Sequence, residues 1–126
     1  MAAIHEIEER LRRFVADTEG VMGVVLATPE GLTYAYYSDR VFDPDMVSAI
    51  ISAVFALVKK SGRSTDLGEP KEITAHLEEG SLHIFPLGDL VLGVETLPGV
   101  MTGMVLMNAR KMLEDLKGIT DKVLNQ

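Results

Sequence analysis

The sequence predicts an α/β fold in three layers: a five-stranded antiparallel sheet with one helix on one face and two on the other. Three observations predict it. Helical spacing of apolar residues opens the chain, recurs in its middle and closes it. Short runs rich in β-branched and aromatic residues lie between those stretches. Tight turn signals join most of the runs, so neighbouring strands pair antiparallel. The element order is αββαβββα, read as a single domain over residues 1–126.

Each element follows from local chemistry. Ile4, Ile7, Leu11, Phe14 and Val15 fall at steps of three and four and form one stripe of a first helix, Ala3 to Asp17, which Gly20 ends. Glu6–Arg10, Glu8–Arg12 and Glu9–Arg13 are spaced for pairing on its wet side. Val21 to Thr28 reads as a strand buried on both faces. Pro29-Glu30-Gly31 turns the chain into a second strand, Leu32 to Tyr37. Asp43 caps a middle helix that starts at Pro44 and runs to about Lys60, stopping near Gly62. Lys71 to Glu78, Ser81 to Leu87 and Leu90 to Thr96 are the remaining strands, turned at Glu79-Gly80 and Gly88-Asp89. A last helix runs from about Met101 to Gly118 or beyond, with Met101, Met104, Val105, Met112, Leu113 and Leu116 as its buried stripe. Hairpin pairing orders the strands second, first, fifth, fourth, third.

The middle helix carries the functional argument. At about 100° per residue, Asp45, Ser48, Ala49, Ser52, Ala56 and Lys59 share one sector. Met46, Val47, Ile50, Ile51, Val54, Phe55, Leu57 and Val58 fill an apolar arc of roughly 200°, about twice what a helix lying on a sheet needs. The surplus calls for a second copy of the same helix across a two-fold axis, with Ala49, Ser52, Ala53 and Ala56 small enough for close approach. The strand Lys71 to Glu78 falls at a sheet edge and has no internal proline to stop it pairing with another chain. The expected self-contact is therefore Met46, Ala49, Ile51, Ser52, Ala53, Phe55 and Ala56 on the helix, with Thr74 and His76 on the edge strand. Whether the Met46–Ala53 flank or the Ile51–Phe55 flank meets the mate stays open.

Composition narrows the function. A net charge of −7, from 12 basic and 19 acidic residues, argues against nucleic acid as a general partner. The chain has no cysteine, so thiolate chemistry and disulfides are excluded. Its longest apolar run, Ala53 to Val58, is far shorter than the ~20 residues of a membrane span, and the acidic start does not resemble a signal peptide; a cytoplasmic protein is expected. No G-x-x-x-x-G-K-[ST] loop, G-x-S-x-G elbow or H-E-x-x-H helix is present, so neither a GTPase nor any other enzyme is predicted, and no cofactor. With Glu79-Gly80 as a two-residue turn, His76 would stand opposite His83. The facing residue on the last strand would be Val94, which supplies no third ligand, so a polar pair rather than a metal site is expected.

Several local patterns resemble the roadblock family of dynein light-chain-like proteins. Gly20-Val21-Met22-Gly23-Val24-Val25-Leu26 followed by Pro29-Glu30-Gly31-Leu32 is similar to that family's first hairpin. His83-Ile84-Phe85-Pro86-Leu87-Gly88-Asp89 with Leu90-Val91-Leu92 is similar to a later one, and Gly103 to the glycine that opens its last helix. The resemblance spans Ile4 to Leu116 and implies a roadblock/profilin-like fold. It also implies a non-enzymatic homodimer, joined through the middle helix and third strand, that serves as adaptor or regulator of a small Ras-like GTPase, as prokaryotic members do. Asp45, Ser48, Lys59 and Arg63 are the candidate partner-binding residues, Arg63 also as an arginine finger. Two other readings compete: a scaffold with no GTPase, and a small-molecule sensor, for which the sequence offers few convergent polar groups.

Overall fold

A computed structural model describes residues 2–124. The elements are α1 (Ala2–Asp17), β1 (Val21–Ala27), β2 (Thr33–Ser38), α2 (Pro44–Ser64), β3 (Ile73–Leu77), β4 (Gly80–Leu87), β5 (Leu90–Thr96) and α3 (Thr102–Leu124). The sheet is antiparallel, in the order β2-β1-β5-β4-β3, with β3 and β2 at its edges. Element order, strand order and layering agree with the sequence reading.

Alternation along the strands divides the interior in two. Val24 and Leu26 of β1, Phe85 and Leu87 of β4, and Leu92 and Val94 of β5 face α1 and α3. They pack on Ile7, Leu11 and Phe14 of α1 and on Val105, Ala109, Met112 and Leu116 of α3. Val25, Ala27, Ile84 and Val91 point the other way and meet Val47 and Ile51 of α2. Each large aliphatic side chain so enclosed stabilises the fold by about 1.5–3 kcal/mol. The α2 core is the smaller of the two, because one helix rather than two lies on that face.

The boundaries differ from the sequence reading in three places, each for a physical reason. Asp43 caps α2 as expected, its carboxylate accepting from the Met46 amide at 3.1 Å, but the helix runs through Gly62 to Ser64. Gly62 is buried, and the Gly68 carbonyl lies where a side chain would begin. Glycine is there for contact with the returning loop and does not end the helix.

The β3–β4 turn is Glu78-Glu79, with Leu77 paired to Gly80. That register sets His76 opposite Ser81 and His83 opposite Thr74, so the two imidazoles are diagonal neighbours 6.4 Å apart between ring centroids and do not face each other directly. Lastly, Met101 and Met104 are exposed, and of the methionines assigned to the α3 stripe only Met112 is in the core. No helix among the described residues is long and apolar enough to cross a membrane.

Candidate protein-interaction face

Two flanks of α2 have different fates. The inner one is spent within the protomer. Ile51 is fully buried over Gly93, where a β-carbon would stand 2.8–2.9 Å from its methyl groups, so only glycine admits the helix at this distance. The Ser52 hydroxyl donates to the Thr28 carbonyl at 2.8 Å. The Thr33 hydroxyl donates to Asp45 at 2.7 Å and lies 2.8 Å from the Ser48 hydroxyl. Its one hydrogen is committed to the carboxylate, so Ser48 is the donor in that pair.

The serines therefore dock α2 onto the β1–β2 hairpin. This corrects the expectation that Ile51 and Ser52 meet a mate and that Ser48 meets a partner. Ile51 and Ser48 are fully enclosed and Ser52 is nearly so. Phe55 is half-buried and packs against the α2 core, leaving part of its ring free.

The outer flank is apolar and uncovered. Met46 is 59% exposed, Ile50 45% and Leu57 69%, and exposed Ala49, Ala53 and Ala56 lie among them. At helical spacing these make a ridge about three turns long with no nitrogen or oxygen on the side chains. Ile50 and Leu57 belong to the apolar arc of the sequence but lie outside the contact expected from it. Their signal was the spacing Met46–Ile50–Ala53–Leu57, masked because serines facing a sheet look like a solvent face.

The ridge continues onto the sheet. α2 covers β1, β5 and β2 and leaves β4 and β3 beside it. On that side Ile73 and Leu82 are half-buried and Leu77 is exposed. Glu95, between this strip and Gly93, is half-buried and makes no ion pair among the described residues, and burial pushes its carboxyl above the ordinary value of 4.5. Ala75 shares this face, so Thr74 and His76 project from the opposite one. What links those two residues to the ridge is the open backbone edge of β3, not a common face.

Behind that edge, His83 is wholly buried. Its Nδ1 is 2.9 Å from the Thr74 hydroxyl, and its Nε2 is enclosed without a partner. Burial first, and His76 second, hold its pKa below 6.5. Among the described residues no cluster of three or more histidines and carboxylates could hold a metal ion.

The remaining candidates do not converge. Lys59 and Arg63 share Glu69, at 3.8 and 3.5 Å. Asp45 is bound to Thr33 at the other end of α2, about 27 Å from Arg63 along the helix axis.

Comparison with known proteins places this geometry. A family model described as the Roadblock/LC7 domain matches residues 7–96. Among curated protein sequences none matches. MglB of Myxococcus xanthus superposes with a TM-score of 0.87 at 16% identity, covering 94% of this chain and 90% of that one. A Roadblock/LC7 domain from Streptomyces avermitilis does so with 0.80 at 17%, covering 88% and 94%. Acanthamoeba castellanii profilin IA shares the fold more distantly, at 0.62 and 11%, covering 88% and 96%.

Proposed function

The chain belongs to the Roadblock/LC7 family, and from that premise we propose that it is a cytoplasmic, non-enzymatic adaptor: one domain that pairs with a copy of itself and binds a small Ras-like GTPase, stimulating or anchoring it. The observation that carries the self-pairing is the uncovered ridge Met46–Ala49–Ile50–Ala53–Leu57, beside the partly exposed strip Ile73, Leu77 and Leu82 of β3 and β4. An exposed apolar surface of this kind is costly in water unless another surface removes it from solvent. A second α2 laid antiparallel against the first would do so, small Ala49 and Ala53 allowing close approach. The same two-fold axis would bring the open β3 edges together, with Thr74 and His76 at the seam.

The GTPase reading rests on family membership and on the likeness to MglB in fold. A dimer of this form would act by holding a mobile loop of the GTPase in one arrangement, which requires no catalytic residue of its own.

Sedimentation tests the pairing. The wild-type protein should run at twice the monomer mass, and Ile50→Asp with Leu57→Asp at the monomer mass with an unchanged far-UV spectrum. A wild-type chain that stays monomeric at high concentration overturns the proposal. Pull-down with a small GTPase of the same genome, loaded with GDP or a GTP analogue, tests the partner. Retention that favours one nucleotide supports regulation; no binding in either state removes the GTPase.

A further inference from the structure

At the end of the molecule where α1, β2 and β5 hand over to the next elements lies a cleft of about 660 Å³. It falls within the roughly 300–1,000 Å³ typical of binding sites. Val100, Met101 and Met104 supply its apolar lining, and Asp17 and Glu19 its acidic rim. Met101 and Met104 are exposed, and so is Met107 one turn further along α3. The three thioethers thus form a ridge running out of the cleft along the helix. Val41, beside the cleft residue Arg40 in sequence, is fully exposed as well.

This concentration of methionine is not a packing requirement, since Met112 alone of the α3 methionines is in the core. Unbranched, polarisable side chains that present themselves to solvent around a cleft suit a ligand whose apolar face they can remould around. Charge selects the ligand further. Neither Asp17 nor Glu19 makes an ion pair among the described residues, whereas Arg40, the one cation lining the cleft, is held by Asp39 at 3.4 Å. Asp17 also borders a hollow that contains Arg10 and Lys111, so the unopposed negative charge of the cleft is that of Glu19. An apolar ridge of about two turns beside the unpaired Glu19 matches a helix with large apolar residues on one side and lysines or arginines flanking them.

We propose that the cleft and the Met101–Met104–Met107 ridge form a second docking surface, whose occupant is a basic amphipathic helix of another protein. The surface belongs to the α1–α3 side and its end loops, away from the α2 ridge, so it remains open whether or not the chain dimerises.

The experiment uses the full chain with 13C-labelled methionine methyl groups. The probe is a synthetic helix of about 18 residues, five turns, built only of leucine and lysine with the leucines on one face. A counterpart in which glutamate replaces lysine is the control. The methyl signals of Met101, Met104 and Met107 should shift with the leucine–lysine helix, while those of Met46 on α2 and Met112 in the core stay in place. The glutamate counterpart should bind roughly ten-fold more weakly or worse, and Glu19→Lys should reduce affinity several-fold.

Met101→Ser with Met104→Ser, both at exposed positions, should abolish the effect while leaving thermal unfolding near wild type. Equal binding of the glutamate helix, shifts confined to Met46, or undiminished binding by the serine variant would each overturn the assignment. So would the same methyl shifts produced by phosphatidylcholine vesicles alone.

Discussion

Ile50 and Ile51 are neighbours on α2 with the same side chain, yet Ile51 is completely enclosed and Ile50 is 45% exposed. The same split runs the length of the helix. One flank carries two serines and is the buried one; the other carries methionine, isoleucine, alanine and leucine and is bare. Polarity by itself would assign them the other way round. Buried serine is tolerable because each hydroxyl has a partner on the β1–β2 hairpin, and small side chains let the helix approach the sheet closely. The bare flank shows that polarity along a helix does not by itself decide which side a protomer encloses. This helix is seated by Val47, Ile51 and two hydrogen-bonded serines, and it leaves Met46, Ile50 and Leu57 in the open.

The largest expected effect separates the two isoleucines. Ile51→Ala should lower the unfolding free energy by about 2–5 kcal/mol through the cavity it leaves over Gly93. Ile50→Ala, measured by urea unfolding at a concentration where the protein is monomeric, should change it by no more than about 0.5 kcal/mol. Similar losses at both positions would erase the distinction between the flanks.

A smaller effect tests the serines. Ser52→Ala removes one of the two hydrogen bonds that the Thr28 carbonyl accepts, the other coming from the Gly31 amide, and should cost about 1 kcal/mol in the same assay. Ala53→Ser, one residue further round, should be close to neutral in the monomer. Stability unaffected by Ser52→Ala would mean that close packing alone, without the hydrogen bond, seats the helix.

The smallest effect comes from Glu95, at the margin of the strip that α2 leaves bare. Its carboxyl titrates above 4.5 because burial disfavours the charge. A raised folded-state value means that the protonated form favours folding. That contribution is complete below the unfolded value of about 4.5 and is lost as pH rises through the folded value. Glu95→Gln should therefore raise Tm at pH 7 by a small margin, and the gain should vanish below about pH 4.5. A gain that persists unchanged into acid would assign the effect to packing and not to ionisation. His83 tilts the opposite way: its lowered value removes stability as pH falls through 6.5, so profiles of the Glu95 variant are compared with wild type at each pH.

Much of this protein is determined along the chain. Amphipathic spacing, Asp43-Pro44 and the turn residues specify eight elements in order, and β5 falls at Leu90–Thr96 as read. The surplus of apolar surface on α2 is equally a property of the sequence, since no rotation of the helix can hide an arc of roughly 200° on one sheet.

Only the tertiary structure decided which part of that arc stays outside. That choice depends on Gly93 lying beneath Ile51, and on the Thr28 carbonyl and Thr33 hydroxyl lying beneath the serines. These groups are 15 to 42 positions away in the chain, and their positions are fixed by strand register. The same holds for the methionines of α3. Their spacing fits a buried stripe, but α1 and the sheet leave room in the core for Met112 and none for Met101 or Met104. A helix knows its own period from its sequence; how far it is turned about its axis is set by the partners it packs against.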